Sequence, residues 1–145
     1  DSLGFGLYWV WFQNSYGRRY QNTLALADLK NENEYNLFHL WRDTMFVDTA
    51  ITWQDTSFSM AVKALALTKI KNENGVLKVI SKNEIILNDT LVAGGLTSCR
   101  HANGRDWWIV CQEAFTNCTN VLLYTPDTIY LKHKYCAGNV NSGDR

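Results

Sequence analysis

One proline, Pro126, stands in 145 residues, where ordinary usage of ~5% would supply roughly seven. Turns must therefore rest on Asn, Asp and Gly, which tolerate the backbone conformations that turns need. Long apolar runs are also missing. The richest, Leu7 to Phe12, stops at six residues, far short of the ~18 to 20 of a membrane helix, and no membrane insertion is expected. No basic segment leads into an apolar stretch, so any export signal is expected to have been removed or to lie outside this sequence. Neither sign of charge dominates: 14 Lys and Arg balance 14 Asp and Glu. A chain without a one-signed surface is not expected to bind nucleic acid.

The motifs of common chemistries are absent too. The four cysteines, Cys99, Cys111, Cys118 and Cys136, form no C-x-x-C pair, which argues against structural zinc. There is no Gly-x-Ser-x-Gly elbow, phosphate loop or zinc-protease helix. None of His39, His101 and His133 has a motif linking it to a cysteine nucleophile. The acids are scattered mainly in turns and nominate no carboxylate pair for glycoside hydrolysis. The expectation is a non-enzymatic chain with no catalytic residue, cofactor or metal ligand.

What is abundant is aromatic surface: 13% of residues, including six Trp and seven Tyr, which favour strands. Short apolar or alternating runs are separated by Asn, Asp and Gly clusters, and no helix cap opens a long 3.6-residue pattern, so the reading is all-β. Leu7 to Phe12 is apolar on both faces and needs covering on both. Thr23 to Ala27, the turn Asn31 to Glu34, and Tyr35 to Trp41 read as a hairpin. Ser59 to Ile70 is rich enough in Ala and Leu to permit a helix. Its flank decides for strand, because Asn72-Glu73-Asn74-Gly75 ends in the Asn-Gly pair that fits left-handed hairpin positions. Val76 to Ile80 and Glu84 to Leu87 follow as strand pieces. Further on come Leu96 to His101, Asp106 to Gln112, Asn120 to Tyr124 and Thr128 to His133.

With Asn103-Gly104 central to a turn, Arg100 faces Trp107 and Cys99 faces Trp108. Each half then offers about four strands, spaced roughly 70 residues from start to start, the arithmetic of four-stranded antiparallel blades of a β-propeller. The division is residues 1–22 as a leading strand and linker, 23–92 as a first blade and 93–145 as a second. Two blades leave their outer faces bare. The chain is therefore expected to be part of a longer polypeptide, or to have other protein segments or chains covering those faces.

Individual residues carry several further expectations. In an oxidising compartment Cys111 is expected to pair with Cys118, since their spacing suits neighbouring strands joined by a short turn around Glu113 to Thr116; the alternative is four free thiols buried in strands. Trp107 and Trp108 point to opposite sides of their strand, so core packing accounts for both, with sugar stacking open to one of them. His101, Arg105 and Asp106 resemble an acid/base cluster, but His and Asp flanking a turn more often tie down its backbone.

Six of the nine aspartates precede Ser or Thr, in a chain with 19 Ser and Thr in 145 residues, where roughly one would do so by chance. Five continue with an apolar residue, a pattern similar to the three-residue O-glycosylation site of exported Bacteroidota proteins, and that resemblance makes Ser2, Thr44, Thr49, Thr90 and Thr128 glycosylation candidates. The other reading is that Asp-Thr begins strands after turns.

The hairpin His101 to Trp108, HANGRDWW, with Ile109-Val110 after it, resembles a signature of propeller-like modules at the front of large Bacteroidota proteins exported by type IX secretion. The resemblance extends through Lys82-Asn83, Leu87 to Leu91 and Leu96-Thr97, and back to Tyr35 to His39 and Leu65 to Ile70. It covers roughly residues 22 to 140. It implies WD-repeat-like or kelch-like blades, a secreted or cell-surface location and membership of a larger polypeptide, and it implies no established activity. The functional expectation is a non-catalytic extracellular scaffold or protein-interaction module. The alternative is a carbohydrate-binding module using exposed aromatics, with glycans as ligands.

Overall fold

The structure, a computed structural model, describes residues 20–41 and 61–138. Ser2, Leu7 to Phe12, Thr44, Thr49 and the polar connection at 43–57 lie outside the described residues. Seven strands follow in chain order: β1 (Tyr20–Ala27), β2 (Glu34–Trp41), β3 (Ala61–Glu73), β4 (Val76–Arg100), β5 (Trp107–Glu113), β6 (Cys118–Tyr124) and β7 (Ile129–Cys136). Each is antiparallel to the next, and spatial order equals sequence order. The described residues contain no helix, so the all-β reading holds.

The turn chemistry explains the pairing. Asn74 and Gly75 both adopt positive φ, at 54° and 87°, and close β3 on β4 with Glu73 opposite Val76. This is the two-residue loop whose twist matches that of its flanking strands. Asn33, at φ 66°, closes β1 on β2. In β3 the Ala- and Leu-rich stretch is strand, paired with β2 on one side and β4 on the other. Leu65 and Leu67 join the main core while Ala64 and Ala66 are also buried. Burial on both faces with neighbours on both edges overrides the intrinsic helix preference of Ala and Leu.

Two four-stranded blades were expected, and a single seven-stranded sheet is what the described residues form. The reason lies in β4. The separate pieces Val76 to Ile80, Glu84 to Leu87 and Leu96 onward are one 25-residue strand that runs through the supposed boundary at residues 92 and 93. Its first part pairs with β3 as far as Val92, and its last part pairs with β5. Register shifts along both ladders, with Asn83 at φ 59°, bend the strand, as bulges do. At Gly95 a Cβ would stand 3.1 Å from that of Gln112, so β4 approaches β5 closely there and a side chain would have to press the neighbour aside.

The bend brings the two ends of the sheet face to face. Leu26 of β1, Phe38 and Leu40 of β2, and Leu65 and Leu67 of β3 share one core with Ile109 and Cys111 of β5 and Leu122 and Tyr124 of β6. The Phe38 and Tyr124 rings lie 5.6 Å apart although three strands separate β2 from β6 in the sheet order. The architecture is a sheet folded over itself, nearer a sandwich than a pair of blades.

The disulfide expectation is also corrected. Cys118 bonds Cys136 across β6 and β7, with Cα atoms 4.0 Å apart. Cys111 lies two residues inside β5, opposite Asn120, with its side chain in the core. A four-residue loop, Ala114 to Asn117, joins β5 to β6, so the register carries Cys111 past Cys118. Cys99 is free and exposed.

Candidate functional site

The hairpin between β4 and β5 has the expected register, Cys99 opposite Trp108 and Arg100 opposite Trp107. Its loop runs from His101 to Asp106, closed by His101 N–H donating to the Asp106 carbonyl at 2.9 Å. Asn103 organises it: Oδ1 accepts from the backbone N–H of Arg105 and of Asp106, both at 3.0 Å, while Nδ2 donates to Asp106 Oδ2 at 2.7 Å. His101 Nδ1 accepts from Asn103 N–H at 3.0 Å, and Arg105 Nε donates to Asp106 Oδ1 at 2.7 Å. The hydrogen bond from Arg105 holds the Asp106 carboxyl below its usual range, against the opposing pull of desolvation. These polar atoms satisfy one another and the turn, so His, Arg and Asp serve as turn chemistry. Trp107 packs on the core with Arg100 5.8 Å above its ring, and the His101 ring lies 5.0 Å from Trp108. Both indoles are half-buried, and neither forms an open platform.

A second constellation was not anticipated. Glu113 ends β5, Asn120 lies in β6, Lys134 in β7 and Asp89 in β4. Lys134 Nζ pairs with Glu113 Oε1 and lies 3.9 Å from Asp89 Oδ2. Asn120 Nδ2 donates to the same Glu113 Oε1 at 3.3 Å and to Asp89 Oδ2 at 3.2 Å, while Thr116 Oγ1 donates to Glu113 Oε2 at 3.1 Å. Burial pushes the Glu113 pKa up. Hydrogen bonds from Asp89, Lys134, Thr116 and Asn120 outweigh it and hold the carboxyl below its usual range. The neighbouring Cys111 thiol is pushed up to about 12, first by burial and then by Asp89 and Glu113, which keeps it unreactive. The pairing of Asn120 with Lys134 becomes visible once β6 and β7 are registered on each other; the convergence with Glu113 and Asp89 needs the whole sheet.

A third group closes one end of the sandwich. Tyr124 Oη accepts from Asn36 Nδ2 at 2.7 Å and from Leu29 N–H at 3.2 Å, and Asn36 Nδ2 also donates to Asp28 Oδ2 at 2.8 Å. Asp28 Oδ1 receives the N–H groups of Lys30 and Asn31, both at 2.9 Å. A cleft of about 270 Å³ opens beside this network, lined also by Lys69, Glu84 and Asp127. At its rim Lys30 Nζ meets Asp127 Oδ1 at 2.8 Å.

Of the described glycosylation candidates, Thr128 is exposed and Thr90 is half-buried. Thr128 N–H donates to Thr125 Oγ1 at 3.1 Å, in the turn just before β7, where an Asp-Thr strand start places it. Thr90 sits within β4, and its carbonyl accepts from Ala114 N–H. Among the described residues no group of three or more His, Cys, Asp and Glu side chains is placed to hold a metal ion. A scan against protein-family models, a search of curated proteins and a search of solved structures each gave no match to the chain.

Proposed function

We propose that this chain is a non-catalytic interaction or scaffold module of an exported or surface-exposed protein assembly. The observation that carries the reading is the β3–β4 arm. Val76, Leu77, Val79, Ile80 and Ile85 are large apolar side chains left exposed on it. Val79 and Ile70 continue in register to the exposed Tyr35 of β2. A cluster of exposed apolar side chains on one arm is what a protein partner covers. The Cys118–Cys136 bond, at the exposed strand β7, supports an oxidising compartment.

The test has two arms on protein from its native source. Protease shaving of intact cells should release peptides of this chain, and the native assembly should lose it when Leu77 and Val79 are both replaced by Asp. A chain that is protected inside the cell with four free thiols, or whose assembly size is indifferent to those substitutions, overturns the proposal.

One observation favours the carbohydrate-binding alternative, and it lies away from the tryptophans. On β7, Tyr135 is 58% exposed, with the His133 ring 5.4 Å away, an open aromatic surface of the kind that stacks on sugars. Tyrosine fluorescence titrated with a sugar panel, against Tyr135→Ala, separates this reading from the first.

A further inference from the structure

We propose that Lys134 and Asn120 form an intramolecular isopeptide bond between β7 and β6, with Glu113 as the proton carrier. The two residues are directly opposite each other in the ladder, two positions along from the Cys118–Cys136 pair and on the same side of the sheet. Opposed β-carbons lie only ~5 Å apart, a span that a lysine stem joined to an asparagine side chain bridges with slack.

Geometry selects the reaction. Glu113 Oε1 is bonded to both the Lys134 ammonium and the Asn120 amide nitrogen, so the attacking and leaving nitrogens share one carboxylate oxygen. The Glu113 side chain is 6% exposed, and Asn120 is 1% exposed, with Oδ1 lacking a hydrogen-bond partner among the described residues. The Lys134 side chain is 46% exposed, but its nitrogen ends on that buried carboxylate.

Asp89 Oδ2, which accepts from Asn120 Nδ2 at 3.2 Å and lies 3.9 Å from Lys134 Nζ, brings a second carboxyl to the same pair of residues. Passing the Lys134 proton along its hydrogen bond to Glu113 leaves a neutral amine facing a neutral acid with no change in net charge.

The balance is simple. Lys134 Nζ attacks Asn120 Cγ, forming a C–N bond and placing the electron pair of the carbonyl on Oδ1. Glu113 carries the proton from Nζ to Nδ2. The carbonyl reforms as the Cγ–Nδ2 bond breaks, and ammonia leaves, taking up the remaining proton as ammonium. Nothing is oxidised or reduced, and no co-reactant is needed. Asn120 is the acyl donor because it is the residue directly opposite Lys134 in the ladder and its amide nitrogen, held on Glu113, departs as ammonia.

The experiment is mass spectrometry of the full chain after reduction and alkylation, which removes the Cys118–Cys136 link between the same strands. The expected mass is lower by one ammonia, about 17 Da, and digestion should yield a branched peptide joining Asn120 to Lys134. Lys134→Arg, which keeps the charge beside Glu113, should restore the full mass, and Glu113→Gln should slow or abolish the loss. An unshifted mass overturns the proposal. So does the same loss mapped to Asn74-Gly75 or Asn103-Gly104 as a cyclic imide, or the loss of water with a branch at Asp89.

Discussion

At the scale of single residues, the two unbonded cysteines and a buried histidine give sharp expectations. Cys99 is exposed, and Cys111 is buried with its thiol pushed up to about 12. A thiol reagent should therefore titrate one group per folded chain and two in denaturant without reductant. A Cys111–Cys118 bond would leave Cys99 and Cys136 instead, which peptide mapping of the labelled sites separates. His39 accepts or donates a hydrogen bond at 3.0 Å with Thr68 Oγ1, and burial lowers its pKa from 6.5 to about 4. As pH falls through 6.5 the unfolded chain takes up a proton there, while the folded chain does not until about 4, so stability falls across that window. The urea midpoint should decline over that range, and His39→Gln should flatten the decline. A further loss belongs to lower pH. Asp28, Asp106 and Glu113 have lowered pKa values in the fold, so their contribution is present at neutral pH and disappears as pH falls through those values.

At the scale of elements, β7 is exposed along nearly its whole length. Its attachment rests on the β6 ladder, on the Lys134 contact with Glu113 and on the disulfide. The Cys118–Cys136 bond spans 18 residues, and closing a loop of that size is worth roughly 3 kcal/mol. Replacing both cysteines by Ser should lower unfolding free energy by about that amount, read as a shift in the urea midpoint, with Cys111→Ser as the comparison that leaves the bond intact. Sequence reasoning recovered the hairpins well, because Asn31 to Asn33, Asn74-Gly75 and Asn103-Gly104 are local turn signals. It cut β4 into pieces, because polar Lys82, Asn83 and Asn88-Asp89 look like turns along the chain. In the fold Asn83 is a bulge and Asp89 faces the Glu113 cluster. The cysteine pairing failed for a related reason: a loop four residues long sets the β5–β6 register, and sequence spacing alone does not reveal it.

At the scale of the molecule, the shared core and the continuous β4 make the described strands one unit. Denaturation followed by tryptophan fluorescence and by far-ultraviolet circular dichroism should give coincident single transitions. Two independently packed four-stranded blades would instead separate into two steps. The Tyr124 junction belongs to this scale as well, since its hydroxyl ties β6 to Asn36 of β2 and to Leu29 beyond β1. None of these residues has a neighbour in sequence that announces the contact.

Sequence alone determined that the described residues are β-structured, that Asn and Gly make their turns, and how Cys99 and Arg100 face Trp108 and Trp107. Those properties follow from side-chain periodicity and local backbone preference. Tertiary structure decided that the halves are one bent sheet, that Cys136 is the partner of Cys118, and that Asp89, Glu113, Asn120 and Lys134 meet. Each of those depends on register and on the bend in β4, and register is a property of paired strands that no single stretch of chain encodes.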